Sequence, residues 1–346
     1  MAEYGLLDRL LHRITLQAAP IAELSFQIDQ VASRARAASV ADGRHVFVSG
    51  LARAGTTILM RRIYASGEFC SLTYRNMPLV LAPTLWSRVS APRKTGEPAE
   101  RAHGDRIFVD IDSPESLDEV FWRVFDGDSY IADDFLAPHR PDEKVTARYA
   151  AYVAAILKAD SKGRRRYLSK NNNNILRLGA LRRQFPEAVI LIPFREPLSH
   201  AGSLRRQHRN FIAQQSEDAF VRSYMTWLGH HEFGLDHRPF QFDREGRARL
   251  SAYDPEGLDY WLELWCQVYT WLERTAPRDA VFVCYEDLCQ DPAVWQRLAR
   301  ICCIPEGDAT TEAFSIARSG PDADPTSDVA GRASTLYRRL VENARA

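Results

Sequence analysis

Residues Val46 to Met60 read VFVSGLARAGTTILM. A short run of β-branched and aromatic residues ends in a loop bounded by Gly50 and Gly55, the loop closes on Thr56 and Thr57, and apolar residues at helical spacing follow. A strand, a glycine-bounded turn and a helix N-terminus in succession make a place for an anion. Glycine lets backbone N–H groups come close, and the helix dipole favours negative charge there. A nucleotide triphosphatase needs Lys directly after the second glycine, and here that position is Thr56. Without that Lys, and without an evident metal-binding Asp downstream, the loop is poorly equipped for the β- and γ-phosphates and Mg²⁺ of ATP. It suits a less highly charged 5′-phosphate. Arg53, two residues before Gly55, adds a fixed charge and a fork of donors beside the group to be transferred.

A second constellation lies about 140 residues further on. Ala188 to Phe194 (AVILIPF) form a continuous apolar run of buried-strand type, ending at Arg195-Glu196-Pro197 and passing into the helical pattern LSHAGSLRRQH. Arg195 therefore closes a strand, Pro197 suits a first helical turn, and Ser203, eight residues after Arg195, falls about two turns into the helix. An Arg at a strand end is most often a solvated charge. Its occurrence with the glycine-bounded loop, in this order, is what gives it weight.

Arg53-Ala54-Gly55-Thr56-Thr57 after a strand resembles the 5′-phosphosulfate loop of sulfotransferases, whose usual form is Pro-(Lys/Arg)-Ser-Gly-Thr-Thr. The tyrosylprotein and some carbohydrate members use Arg where many cytosolic members use Lys. Ala52 and Ala54 stand here for the family's Pro and Ser. Arg195 and Ser203 are similar to the pair with which the family holds the 3′-phosphate of 3′-phosphoadenosine 5′-phosphosulfate (PAPS). Tyr167-Leu168-Ser169-Lys170-Asn171 looks like the family's strand that carries a Lys or Asn towards the donor. AVFVCYEDLCQDPAVWQRLARICCIP looks like its Tyr-Glu-Asp-Leu strand end, with Tyr285, Glu286 and Asp287 in mainly architectural roles. The resemblance spans about residues 44 to 305.

It implies a sulfotransferase that takes PAPS as donor, uses no metal, and transfers to a hydroxyl acceptor. Arg53, Ala54, Gly55, Thr56 and Thr57 would hold the 5′-phosphosulfate, Arg195 and Ser203 the 3′-phosphate, and Lys170 would reach the donor or the transferring sulfonate. The acceptor class stays open among small-molecule alcohols or phenols, carbohydrates and peptide tyrosine, with Arg75 as a candidate for holding it. The family's C-terminal cofactor loop, Lys-Gly-x-x-Gly-Asp-Trp, is not found; SGPDADPTSDVAGRAS takes its place, with Arg332 and Ser334 as candidates. A P-loop nucleotide kinase and a non-catalytic nucleotide-binding protein are the alternatives from other classes. Thr56 argues against the kinase.

Sulfuryl transfer needs a general base for the attacking hydroxyl, and cations fixed in the protein can take the place of a metal. The tyrosylprotein branch places a Glu in a Glu-Thr-Arg context, but the matching stretch here is Thr73-Tyr74-Arg75. The cytosolic branch uses a His. His103, in ERAHGDRIFVDID with Asp105 two residues on, has a side chain titrating in the right range and an acid to orient it. It is the first candidate for the base. Asp105, His200, Glu97 and a residue of the 207–257 segment are the alternatives.

The 346 residues carry 45 basic and 45 acidic side chains, so no whole-chain field attracts nucleic acid. The hydrophobic share, 45%, supports a substantial core. Six cysteines show no CxxC pair and no Cys/His metal spacing, which reads as reduced thiols in the cytoplasm. No stretch approaches the length of an apolar membrane span. Strands expected near 45–49, 167–169, 188–194 and 280–285 alternate with helices near 56–66, 115–126, 144–158, 174–184 and 258–274. That alternation implies an α/β fold, a P-loop-like parallel sheet covered by helices on both faces. One sulfotransferase domain is expected over 41–346, with a polar, aromatic insertion at about 207–257 on the substrate side. Trp261, Leu264, Trp265, Val268 and Leu272 read as a buried helix face. Residues 1–40 read as a helical extension of two amphipathic helices broken near Pro20; packing on the domain is the first reading, a homodimer contact or a membrane-surface anchor the second.

Overall fold

Val46, Phe47 and Val48 have no exposed surface, and their strand β1 (Val46–Val48) is the middle of a five-stranded sheet in this computed structural model. The structure describes residues 6–90, 99–100, 108–109, 112–305, 314–315 and 328–345. The order is β2-β5-β1-β6-β7, with β2 Phe69–Cys70, β5 Arg166–Lys170, β6 Val189–Phe194 and β7 Val281–Cys284, and every pairing is parallel. In β1, Val46 lies opposite Leu168 of β5 and Val189 of β6. A separate antiparallel pair joins β3 (Ala99–Glu100) to β4 (Phe108–Val109).

Alternation along the strands divides the sheet's side chains between two cores. Val46, Val48, Leu168 and Leu191 pack with Leu59, Met60 and Ile63 of α3 (Thr56–Ala65) and with Leu298 of α13 (Pro292–Ile301). Phe47, Ile190, Ile192 and Phe194 face the larger core. It is filled from α5 (Glu119–Asp126), α6 (Glu143–Ala159), α7 (Leu178–Gln184), α11 (Leu258–Thr275) and α14 (Val329–Arg345). Parallel strands buried on both faces need such unbroken apolar runs, which is why these segments read clearly as strands.

The expected helices form with shifted ends. The one expected from residue 115 starts at Glu119, because Ser116 and Asp118 are drawn into buried contacts. The stretch expected from 174 divides into a 3₁₀ turn, Asn172–Leu176, and then α7. Asp142 caps α6 by accepting from Val145 N at 2.8 Å. The apolar stripe Trp261, Leu264, Trp265, Val268 and Leu272 is buried, as expected of a core face. Helix α8 (Pro197–Glu217) runs on past residue 207, so the 207–257 segment begins inside a helix and continues through α9 (Ala219–Trp227) and α10 (Arg244–Leu250).

At the N-terminus, α1 (Leu6–His12) passes through a π-helical turn, Arg13–Gln17, before α2 (Ala19–Ser33), which carries Pro20 in its first turn. Helix α2 is anchored. Phe26 meets Phe121, Phe125 and Tyr152 edge-on, and the buried Asp29 carboxylate accepts from Thr84 Oγ1 and from Leu85 N at the start of α4 (Pro83–Ser90). The chain's last described strand leads into α12 (Tyr285–Gln290).

Candidate active site

The end of β1 is tied to both neighbours. Ser49 N donates to Leu191 O at 2.9 Å, and Asn171 N donates to Val48 O at 3.1 Å. The strand order reverses direction at β1, with β5 on one side and β6 on the other. In an open parallel sheet this opens a crevice at the strands' C-terminal edge, where ligands bind.

The loop from Gly50 to Gly55 fills that position, and both glycines are required. A Cβ on Gly50 would lie 2.8 Å from the Pro193 carbonyl oxygen of β6. Gly55 has φ +87, and a Cβ there would stand 2.3 Å from the Tyr285 ring. Helix α3 begins at Thr56 with no side chain capping it, so its first-turn N–H groups are directed at the crevice by the loop. Thr56 is buried and Thr57 half-buried. Ala54 is buried under the turn with its N–H on Leu51 O at 3.3 Å.

Arg53 is left-handed, φ 70, one of three described non-glycine residues with positive φ. That conformation is uncommon outside glycine and asparagine, and it occurs here at the residue whose side chain crosses to the second motif. Arg53 Nε donates to Ser203 Oγ at 3.3 Å. Sequence positions 150 apart therefore meet, and both belong to the set singled out from the sequence.

Arg195 closes β6 and is nine-tenths buried. Its Nε has no hydrogen-bond partner, and its nearest carboxylate, Glu286 Oε1, is 3.9 Å away. Glu286 has other partners: Oε1 accepts from Glu196 N at 3.0 Å and Oε2 from Tyr337 Oη at 3.0 Å. A buried guanidinium with donor capacity left over, at the end of the strand next to β1, fits an anionic ligand. Glu196 caps α8, accepting from Leu198 N and Ser199 N at 3.0 and 2.7 Å, which fixes the turn between Arg195 and Ser203.

Lys170 is the last residue of β5, in register with Val48 of β1, and mostly buried. It stands at the same sheet edge as the loop. Sequence reading gave no sign of the network behind it. Arg177 and Glu119 form a fully buried ion pair, Nη1 to Oε2 at 2.7 Å, and Asn171 Nδ2 donates to the same Oε2 at 2.7 Å. Burial pushes the Glu119 carboxyl up, but the Arg177 charge and its hydrogen bonds bring the group below its ordinary range. Ser169 Oγ and Tyr149 Oη donate to Asp118 Oδ2 at 2.6 and 2.8 Å. The signal available in the sequence was an Asp-Glu pair inside the apolar stretch LDEVFW, charges with no reason to be there unless they are matched.

His200 is fully buried, and its Nε2 lies 2.8 Å from Ala52 O. A carbonyl only accepts, so Nε2 carries the proton. Burial first, then the nearby Arg195 and Arg53 charges, push this imidazole down to about 3. It stays neutral and holds the phosphate-type loop from beneath, which is a positioning role and leaves it unsuited to act as the base. Arg75 pairs through Nε and Nη2 with Asp112 at 2.5 and 2.8 Å and donates to Ser90 O at 3.2 Å. Arg332 lies on α14 and reaches Glu263 at 2.7 Å, with Ser334 exposed on the same helix; residues 319–327 of that polar stretch lie outside the described residues. His103, Asp105 and Glu97 lie outside the described residues.

Among the described residues no group of three or more His, Cys, Asp or Glu is placed to hold a metal ion, and no helix is long and apolar enough to cross a membrane. None of the six cysteines is in a disulfide.

Comparison with known proteins agrees with this geometry. Residues 45–305, well over half of the chain, match the model of the sulfotransferase family. No curated protein matches by sequence. Sulfotransferase STF9 from Mycobacterium avium is similar in structure, with a TM-score of 0.54 at 14% identity over 99% of this chain and 87% of that one. Sulfotransferase STF1 from Mycobacterium tuberculosis H37Rv gives 0.49 at 15% identity over 99% and 88%. The sulfotransferase domain from the curacin biosynthetic pathway gives 0.38 at 13% identity over 86% and 98%. The loop at Gly55, the strand end at Arg195 and the fold that brings them together have the same explanation as the family match: this chain belongs to the sulfotransferase family and is a transferase.

Proposed function

We propose that the donor is PAPS and that the sulfuryl group passes by in-line displacement to a hydroxyl acceptor. The observation that carries the reading is the meeting of Arg53 and Ser203 beside an Arg195 whose buried Nε lacks a partner. The donor supplies a sulfonate joined to a good leaving group, a 5′-phosphate. This chain supplies fixed positive charge and backbone donors around it. Thr56, Thr57 and the start of α3 receive the 5′-phosphosulfate end, with Gly55 giving the close approach. Arg195 and Ser203 receive the 3′-phosphate. Arg53 and Lys170 face the charge that builds on the bridging oxygen as the S–O bond breaks.

His103, oriented by Asp105, takes the proton of the attacking hydroxyl in this reading. Arg75, whose fork is held by Asp112 and Ser90 O, and the 207–257 segment are the candidates for acceptor contact. The acceptor is a hydroxyl on a small molecule, a carbohydrate or a peptide. We assign the chain to the cytoplasm, on its reduced cysteines.

The test is thermal stabilisation by adenosine 3′,5′-bisphosphate compared with ATP and Mg²⁺, followed by turnover with labelled PAPS in EDTA. Stabilisation by the bisphosphate and turnover that survives chelation support the reading. Stabilisation by ATP and Mg²⁺ alone, or turnover abolished by EDTA and restored by Mg²⁺, overturns it in favour of a kinase. Binding without turnover over a broad acceptor set would leave a nucleotide-binding protein.

A further inference from the structure

Lys170 is followed without interruption by Asn171, Asn172, Asn173 and Asn174, and all four asparagines are buried. Asparagine belongs by preference to surface turns, so a buried run of it has to be held by partners. Asn171 N continues the ladder to Val48 O, and the chain then enters the 3₁₀ turn Asn172–Leu176. That turn starts at the C-terminal edge of the sheet, beside the crevice at β1.

The 207–257 segment is fastened to the turn. Asn173 Nδ2 donates to Gly229 O at 3.1 Å, and Asn172 Nδ2 donates to Glu232 Oε1 at 2.9 Å. A carboxylate of the segment is thereby brought to the strand end that carries Lys170. Each partner also fixes which way its amide faces, because carbonyl and carboxylate oxygens only accept. Asn172 Oδ1 is then left buried without a donor, and turning the amide round would set oxygen against oxygen. Asn173 and Asn174 keep one unpartnered atom each as well, but they are tied to buried support, one to a main-chain carbonyl and the other to Arg177 Nη1. Asn172 is joined instead to a half-buried side chain. Glu232 Oε2 has no hydrogen-bond partner among the described residues.

On the reading of a PAPS-dependent transfer to a hydroxyl, we infer that Asn172 and Glu232 form the acceptor subsite, and that the acceptor is a polyol carrying hydroxyls on neighbouring carbons, as a sugar ring does. Asn172 Oδ1 and Glu232 Oε2, on either side of the bond that joins the two residues, call for two O–H donors on one ligand. A diol has both, whereas a phenol or simple alcohol has one and leaves the other oxygen unmet. The ring next to Glu232 offers a phenol no platform: Phe233 is turned into the core, stacked on Phe211 and tilted against Trp261. The Glu232 charge disfavours an acidic peptide. Asn172 lies two residues past Lys170, the side chain given to the transferring sulfonate, so an acceptor held by this pair lies next to that group.

Cyclohexane-1,2-diol and cyclohexanol differ by the one hydroxyl in question. With labelled PAPS and the full chain, the diol and methyl glucoside are expected to show kcat/KM at least about tenfold above cyclohexanol and 4-nitrophenol. Saturation-transfer NMR on the chain with adenosine 3′,5′-bisphosphate should rank their binding in the same order. Glu232→Gln keeps the bond from Asn172 but replaces Oε2 by a donor. It should bring the diol-to-cyclohexanol ratio to within about threefold, through acceptor KM, with bisphosphate affinity unchanged. Asn172→Ala should do the same, and Glu232→Gln decides the matter if Asn172→Ala does not fold. Equal use or equal binding of diol and cyclohexanol by the parent overturns the inference. So does a ratio that survives in Glu232→Gln, which would make Asn172 Oδ1 the partner of a buried water. A parent that the bisphosphate fails to stabilise overturns the donor reading and this inference with it; stabilisation without a diol preference overturns this inference alone.

Discussion

Arg53 Nε and Ser203 Oγ lie 3.3 Å apart, a hydrogen bond that joins the turn after β1 to the second turn of α8. The side chain given to the 5′ end of the donor thus touches the side chain given to its 3′-phosphate. The two motifs, 150 positions apart in the sequence, meet in this one hydrogen bond.

Arg195→Ala should weaken binding of adenosine 3′,5′-bisphosphate by about 2–4 kcal/mol, because a charge-assisted contact is lost from a buried position. Adenosine 5′-phosphate, which lacks the 3′ group, should bind variant and parent alike. Titration calorimetry with both ligands decides it, and equal losses would remove Arg195 from the 3′-phosphate.

Replacing Arg53 by Gly should separate stability from function. The left-handed backbone at Arg53 costs a side-chain residue on the order of 1 kcal/mol that glycine does not incur. Arg53→Gly should therefore unfold in urea no earlier than the parent, while bisphosphate affinity falls at least tenfold. Loss of stability in step with affinity would show that Arg53 acts as a structural residue.

Gly55→Ala meets both a left-handed φ and the Tyr285 ring at 2.3 Å. A destabilisation of roughly 2–4 kcal/mol is expected from the clash and strain together. Gly55→Ala combined with Tyr285→Ala should recover the part due to the ring, and chemical denaturation of the four-member cycle measures it. Full additivity would mean the ring is not what excludes the side chain.

His103→Ala should lower kcat by about 10²- to 10⁴-fold with bisphosphate affinity nearly unchanged, the range for loss of a positioned proton acceptor. The parent's kcat should fall at low pH around the imidazole range. A variant that retains full kcat would move the role to Asp105, Glu97 or the 207–257 segment.

Acid should unfold the protein through its buried imidazoles. His45 Nε2 lies 2.8 Å from Val40 O and its Nδ1 accepts from Tyr167 N at 2.9 Å, so only the neutral ring satisfies both; burial pushes it down to about 4. Burial likewise brings His200 and His237 to about 3. Their folded values lie below the unfolded one, so the unfolded chain binds more protons as pH falls. The stability they contribute is complete above about pH 6.5 and declines steadily below it, by on the order of several kcal/mol in sum at pH 4. Urea midpoints from pH 7 to 4 check the slope. His45→Gln should be less stable at pH 7 yet lose less on acidification; an identical slope would exclude His45.

The cofactor side of the site was legible because it is written in local chemistry. Glycines bounding a turn, a proline after a strand end and a serine at helical spacing carry their conformational reasons with them. The sheet's strands were legible because parallel strands covered on both faces are uniformly apolar. The buried support was not. Whether Glu119 meets Arg177, or His200 meets Ala52, depends on packing between segments far apart, and nothing local marks a His as the prop of a loop 148 positions away. The ends of α5 and α7 shifted for the same reason, since Asp118 and the asparagines after Lys170 are claimed by tertiary hydrogen bonds.

The central position of β1 has a consequence for how the chain reaches this structure. Its two partners, β5 and β6, leave the ribosome only after more than a hundred further residues, since Val46 pairs with Leu168 and Val189. Until then β1 is an apolar strand with both edges open, and closing it means ordering long loops before any ladder bond compensates. Folding of the sheet is therefore a late and slow event in synthesis, and the nascent chain spends that interval exposed to aggregation through the same three residues that later lie at its centre.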